Sequence, residues 1–294
     1  MTISSQNTPL LREMTLNNER AKQVAEISLT PPETTRILTI SNQKGGVGKT
    51  TTAVNLAASL ARKGMRVLVI DLDPQGNAST ALGVQHHNSV LGSYEVLVDG
   101  LPMADAVKQS PEHQNLFCLP ATINLAGAEI DMVGFEKRER VLANSLQTFL
   151  KSQESPIHFV FIDSPPSLGL LTVNALVAAT EVLVPIQCEY YALEGVTQLM
   201  SNIDRVRVAL NPELKIGGIL LTMFDNRTNL STEVAAEVRR YFPEQTLNAT
   251  IPRSVRLSEA PSFGQTAISY DPKNTGSLAY QEAAIELAQR GVAK

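Results

Sequence analysis

An aliphatic strand that empties into a glycine-rich turn and then a helix leaves a chain few choices of architecture. Residues 36–52 have that form: Arg36-Ile37-Leu38-Thr39-Ile40-Ser41-Asn42-Gln43-Lys44-Gly45-Gly46-Val47-Gly48-Lys49-Thr50-Thr51-Thr52. This is the pattern of a nucleotide phosphate-binding loop. Its glycines let the backbone curl with N–H groups pointing inward, and the following helix adds partial positive charge, so a triphosphate meets a ready-made anion site. The spacing puts Lys49 on the β- and γ-phosphates and the Thr50 hydroxyl on Mg²⁺. Gly45, Gly46, Val47, Gly48 and Thr51 complete the expected cradle.

From Arg36 onward, apolar segments suited to strands (36–41, 66–71, 115–119, 158–163, 181–186 and 216–222) alternate with helical periodicity at 49–63, 136–151, 170–179, 191–210, 230–242 and 276–290. Val67-Leu68-Val69-Ile70 and Phe159-Val160-Phe161-Ile162 are apolar without alternation, which means burial on both faces. The expected fold is therefore a single α/β domain over residues 36–294: a doubly wound, mostly parallel sheet with helices on both faces, of the P-loop NTPase type. An aromatic share of 5% with no Trp suits aliphatic strands under helices. Residues 1–35 are polar, carry Pro31-Pro32, and read as a flexible extension with little fixed structure beyond a short helix from about Leu10 to Ile27, the alternative being a helix packed against the main domain.

In such folds ligands sit at the carboxyl ends of the strands, and acidic residues fall there. Asp71-Leu72-Asp73-Pro74-Gln75-Gly76-Asn77 places two carboxylates near one face of an extended segment, able to hold Mg²⁺ through water and to orient an attacking water. Phe161-Ile162-Asp163-Ser164-Pro165-Pro166-Ser167 ends an apolar strand in a lone Asp, which would order the Mg²⁺ shell opposite Thr50. The plainer alternative, an Asp capping a helix after a strand, loses weight beside the loop at 44–52.

The loop departs from the common pattern by carrying Gln43 where glycine is usual and by adding Lys44 five residues before Lys49. Two cations on one small loop repel unless a strong anion lies between or beside them. Lys-Gly-Gly-Val-Gly-Lys-Thr resembles the deviant Walker A box of the ParA/MinD/nitrogenase-iron-protein superfamily. Segments such as Asp71–Asn77, Leu125-Ala126-Gly127-Ala128-Glu129, Gln187-Cys188-Glu189-Tyr190-Tyr191 and Ile251-Pro252-Arg253-Ser254-Val255-Arg256 are similar to the chromosomal ParA (Soj-like) branch. The resemblance implies an ATPase that forms a homodimer when ATP-bound, with Lys44 reaching the partner's nucleotide, Asp73 positioning the hydrolytic water, and Thr50, Asp71 and Asp163 around the metal. It further implies non-specific binding of nucleoid DNA, stimulation by a ParB-type centromere-binding protein, and a cytoplasmic, nucleoid-associated location. By the same resemblance Arg227 and Arg256 are the expected DNA contacts, and Met223 and Pro252 lie near the adenine.

The bulk numbers constrain these implications. Net charge is −4, so any DNA surface must be a local patch rather than a basic coat. No run approaches about 18 apolar residues, and no secretory pattern is visible. A MinD-like membrane-cycling ATPase would need a basic amphipathic terminal helix, whereas Tyr280–Arg290 carries acidic and small apolar residues, so no stable membrane association is expected. Cys118 and Cys188 lack CxxC or metal spacing, which disfavours a zinc site or a disulfide scaffold. Their number would suit a reductase bridging a cluster between subunits, but Cys188 precedes Glu-Tyr-Tyr in a segment similar to the partition branch and Cys118 falls inside an expected strand.

Overall fold

The computed structural model describes residues 9–189 and 192–290; Tyr190 and Tyr191 of the Soj-like segment lie outside them. Eight strands, β1 (Arg36–Ile40), β2 (Val67–Asp71), β3 (Lys108–Gln109), β4 (Leu116–Leu119), β5 (Phe159–Asp163), β6 (Glu181–Gln187), β7 (Lys215–Phe224) and β8 (Thr246–Pro252), form one sheet in the order β3-β4-β2-β5-β1-β6-β7-β8. Every neighbouring pair is parallel except β3 with β4. The six expected strands are all present within a few residues. The two additions have weak apolar signals: β3 is a two-residue exposed edge, and β8 is an edge strand that mixes polar residues with Leu and Ile and closes on Pro252.

The helices that bear on the site are α1 (Pro9–Glu26), α2 (Lys49–Arg62), α3 (Asn77–Ala81), α4 (Val141–Ser152), α5 (Leu170–Ala178), α6 (Ala192–Ala209), α7 (Asn229–Tyr241), α8 (Val255–Glu259) and α9 (Thr275–Arg290). Alternate strand residues divide between the two faces, as the unalternating sequences of β2 and β5 require. Leu38, Ile40, Val67, Val69, Phe159 and Phe161 pack with residues of α2 and α9. Leu68, Ile70, Val160 and Ile162 meet α4 and α5, while Val182, Val184, Ile219 and Leu221 pack with α6 and α7. The helix expected from 136 begins only at Val141, because Lys137 sits in the left-handed region at φ 52° and residues 138–140 form a 3-10 turn.

The helix expected at about Leu10 to Ile27 is present as Pro9–Glu26, and it is docked on the domain, as the packed-helix alternative has it. Its Val24 is buried, and the Arg20 guanidinium makes a two-pronged contact with Glu282 of α9 at 2.8 and 2.8 Å. Lys63 donates to the carbonyls of Val24, Ala25 and Ile27 at the carboxyl end of α1, where a cation also meets the negative end of the helix dipole. Among the described residues no helix is long and apolar enough to cross a membrane.

Candidate active site

The sheet order brings the carboxyl ends of β2, β5 and β1 side by side, and the loop between β1 and α2 closes over them. Gly46 (φ 74°) and Gly48 (φ 88°) occupy the left-handed region, a conformation that side chains resist. Gly48 stands at the N-cap of α2 with no side chain satisfying the first-turn N–H groups, leaving these donors for an anion. Val47 is buried beneath the loop, and its carbonyl accepts the Thr222 hydroxyl at 2.9 Å. Lys49 is also buried, its ammonium donating to the Lys44 carbonyl at 3.3 Å. Burial pushes its pKa down, while Asp163 and Asp73 pull it back toward the charged form.

Asp71 and Asp163 are register partners on adjacent strands, both fully buried. Their surroundings differ. Asp71 Oδ2 accepts the Ser79 N–H at 2.8 Å and its hydroxyl at 2.7 Å, and Oδ1 accepts the Asp73 N–H at 3.1 Å. Desolvation raises Asp71 to about 6 against the opposing pull of these bonds. For Asp163, neither oxygen receives a hydrogen bond of ordinary geometry, although the Thr50 hydroxyl lies near enough to favour its charged form. Burial and the neighbouring Asp71 push Asp163 well above the usual carboxylate range.

An orphaned buried carboxylate beside a hydroxyl is a hard oxygen donor set, and it fits a divalent cation such as Mg²⁺. Thr50 and Asp163 are thus the residues that would hold it. Asp71, expected in the metal shell, instead has both oxygens engaged in fixing the turn that carries Asp73. The strand ends at Asp71, so the two carboxylates do not share one extended face. Asp73 lies just beyond in that turn, accepting the Gln75 N–H at 3.0 Å.

Lys44 projects at the rim, its side chain 47% exposed, and its ammonium pairs with Glu189 at 3.0 Å. Glu189 also lies 3.9 Å from Arg253. The sequence singled out the segment containing Glu189 without giving that residue a role, because its partner Lys44 lies 145 positions away along the chain. Ser79, which holds Asp71, carried no signal of that contact. Glu129, in the Leu125–Glu129 segment, accepts the Leu171 N–H at 3.1 Å at the start of α5 and packs against Gly169, where a Cβ would lie 2.1 Å from its carboxylate. It therefore ties that segment to the loop following Asp163.

A cavity of about 120 Å³ beside the phosphate loop is lined by Gly48, Thr51, Met223, Pro252, Ser254 and Leu257, among others, so the structure does bring Met223 and Pro252 next to the loop. Met223 adopts φ 50°, strained for a non-glycine residue and characteristic of functional sites. Arg227 and Arg256 are exposed on separate segments: Arg227 binds Asp225 at 2.8 Å, and Arg256 pairs with Glu259 at 3.0 Å and stacks over Tyr270. Both cysteines are buried, with desolvation lifting Cys188 to about 11. Among the described residues no cluster of three or more His, Cys, Asp or Glu side chains could hold a metal.

A family model described as an AAA domain matches residues 35–216. The chromosome partitioning protein ParA of Myxococcus xanthus is 49% identical over 259 residues, 88% of this chain and 90% of that protein. The sporulation initiation inhibitor protein Soj of Bacillus subtilis is 48% identical over 256 residues, 87% of this chain and 99% of its own length. Among solved structures, a Mycobacterium smegmatis protein named cobyrinic acid a,c-diamide synthase, with bound ATP analog and magnesium, superposes with a TM-score of 0.72 at 38% identity, covering 85% of this chain and 93% of the other. With the phosphate loop, the paired strand-end carboxylates and the second lysine all in place, the chain belongs to the ParA/Soj family of chromosome-partitioning ATPases.

Proposed function

We propose that this chain binds ATP with Mg²⁺, forms a homodimer around the nucleotide, binds nucleoid DNA without sequence preference in that state, and hydrolyses ATP when a ParB-type centromere-binding protein engages it. The observation that carries the reading is the unpartnered Asp163 carboxylate facing Thr50 and Lys49 under a glycine cradle, with a second ammonium, Lys44, displayed at the rim. A cytoplasmic, nucleoid-associated location follows from the same reading.

In the proposed reaction a water attacks the γ-phosphate in line. Asp73 orients that water, held by its own turn and by the engaged Asp71. The Lys49 ammonium and the loop N–H groups stabilise charge on the phosphates, and the partner's Lys44 adds a further cation from across the dimer. A cation held by Thr50 and Asp163 would clamp phosphate oxygens and neutralise their charge. To be shared, Lys44 must leave Glu189, so the rim ion pair and the dimer compete for one ammonium.

Phosphate release measured with and without DNA and a ParB-type protein tests the reading. Turnover should be slow alone and rise with both present; an unchanged rate would remove the stimulated-ATPase conclusion. Lys44→Ala should retain ATP binding yet remain monomeric in gel filtration with a slowly hydrolysed analogue. A normal dimer in that variant would count against the shared lysine.

A further inference from the structure

The family match begins at residue 35, and the 256 residues that span 99% of Bacillus subtilis Soj leave 38 residues of this chain without a counterpart there. Helix α1 precedes the matched region, yet it is docked by specific contacts. The Thr275 hydroxyl, at the first position of α9, accepts from Asn17 Nδ2 at 3.2 Å and donates to Glu13 Oε1 at 3.2 Å. One turn along α1, Arg20 holds Glu282. The Thr275 contacts grip the amino end of α9, and the Glu282 contact grips its middle, two turns further on.

The amino end is built into the wall of the cavity beside the phosphate loop. Asn274 Oδ1 accepts the Ser254 hydroxyl at 3.0 Å and the Gly276 N–H at 2.9 Å. At Gly276 the approach is so close that a Cβ would lie 2.9 Å from Leu257 and 3.2 Å from the Ser254 Cβ. Ser254 and Leu257 both line the cavity. Outside it, a second cavity of about 490 Å³ shares Pro252, Arg253 and Ser254 and is walled by Glu13 and Arg20 of α1. A continuous path of contacts therefore runs from α1 through Thr275 and Asn274 to the surface that the nucleoside would meet.

We infer that α1 is a brace for the nucleoside side of the ATP site, with Glu13, Asn17 and Arg20 as positioning residues that hold the 252–258 segment against the base and ribose. The inference rests on the ATP-binding reading above. The contacts from α1 reach the 252–258 segment through Thr275 and Asn274 and do not touch the glycine cradle themselves, although α9 also meets the first turn of α2, where the Tyr280 and Thr52 hydroxyls lie 3.1 Å apart. Loosening the brace should weaken ATP while sparing a ligand that has phosphates and no nucleoside.

Full-length Arg20→Glu, which breaks the pair with Glu282, and the double variant Glu13→Ala/Asn17→Ala, which removes both bonds to Thr275, are compared by calorimetric titration with Mg-ATP and with Mg-tripolyphosphate. Each should raise the Kd for ATP about five- to tenfold, the size of one or two net hydrogen bonds, with tripolyphosphate binding unchanged. Arg20→Glu/Glu282→Arg should restore the wild-type affinity. Unaltered ATP affinity in both variants, equal weakening of both ligands, or no recovery in the charge swap would overturn the brace. A wild-type chain that takes tripolyphosphate but not ATP, or neither, would instead overturn the ATP reading beneath it.

Discussion

At the scale of single residues, Asp163 decides what the site is for. An ionised carboxylate at full burial with no donor of ordinary geometry on either oxygen is costly to the fold, a cost that protonation or an arriving cation offsets. Asp163→Asn should therefore stabilise the chain without nucleotide or metal by on the order of 1–3 kcal/mol, measured by chemical denaturation, while abolishing Mg²⁺-dependent ATP hydrolysis. The pH dependence carries a definite sign. Because the folded chain holds the Asp163 proton more tightly than the unfolded chain, whose carboxylate titrates near 3.8, this residue's contribution falls as pH rises above that value and keeps falling until Asp163 ionises in the folded state. The Asn variant lacks that slope, so the stability gap between the two proteins should close in acid; a gap independent of pH would mean that Asp163 is not held neutral.

At the scale of elements, the sheet is bound to α9 by a buried ion pair. Arg36 at the start of β1 donates to both Glu181 oxygens at the start of β6 at 2.8 Å, and Nη1 donates to the Leu287 carbonyl of α9 at 2.6 Å. Both side chains are nearly fully buried. Glu181→Ala leaves the guanidinium without its counter-charge and should cost about 3–5 kcal/mol in urea unfolding, whereas Glu181→Gln, which keeps one acceptor, should cost less. Equal losses in the two variants would mean that packing, not charge, makes the contact.

The same strands show why much of the element layout was legible in advance. β2 and β5 announce double-sided burial by unbroken apolar runs, and Gly46 and Gly48 mark a turn at which the backbone goes left-handed. What the pattern did not carry were contacts distant along the chain. Ser79 meets Asp71 only because the turn after β2 folds back onto the strand end, and Glu189 meets Lys44 across 145 positions. That α1 docks was only an alternative in the sequence, because most of its anchors are polar contacts with α9 and Lys63 rather than an apolar stripe.

At the scale of the whole molecule, a net charge of −4 sets the problem that any DNA-binding reading must solve. Arg227 and Arg256 are both exposed and both already matched by carboxylates of their own neighbourhoods, Asp225 in one case and Glu259 with Asp271 in the other. A single chain thus presents little uncompensated positive charge there. Two copies joined by nucleotide would present the arginines twice, and phosphate contacts add across subunits while each exchanged ion pair costs little at the surface. Binding should accordingly appear only with ATP and fall steeply with salt. Arg227→Glu/Arg256→Glu should abolish retention on DNA-coated beads at about 100 mM salt, where screening extends only about 10 Å, while gel filtration with a slowly hydrolysed ATP analogue still shows the dimer. Asp225→Asn is the complementary change: it frees Arg227 from a partner that it holds down to about 2 and should strengthen binding. If the double Glu variant kept its DNA and the Asn variant gained none, the arginines would be ordinary surface ion pairs, and the cargo would have to be held by another face.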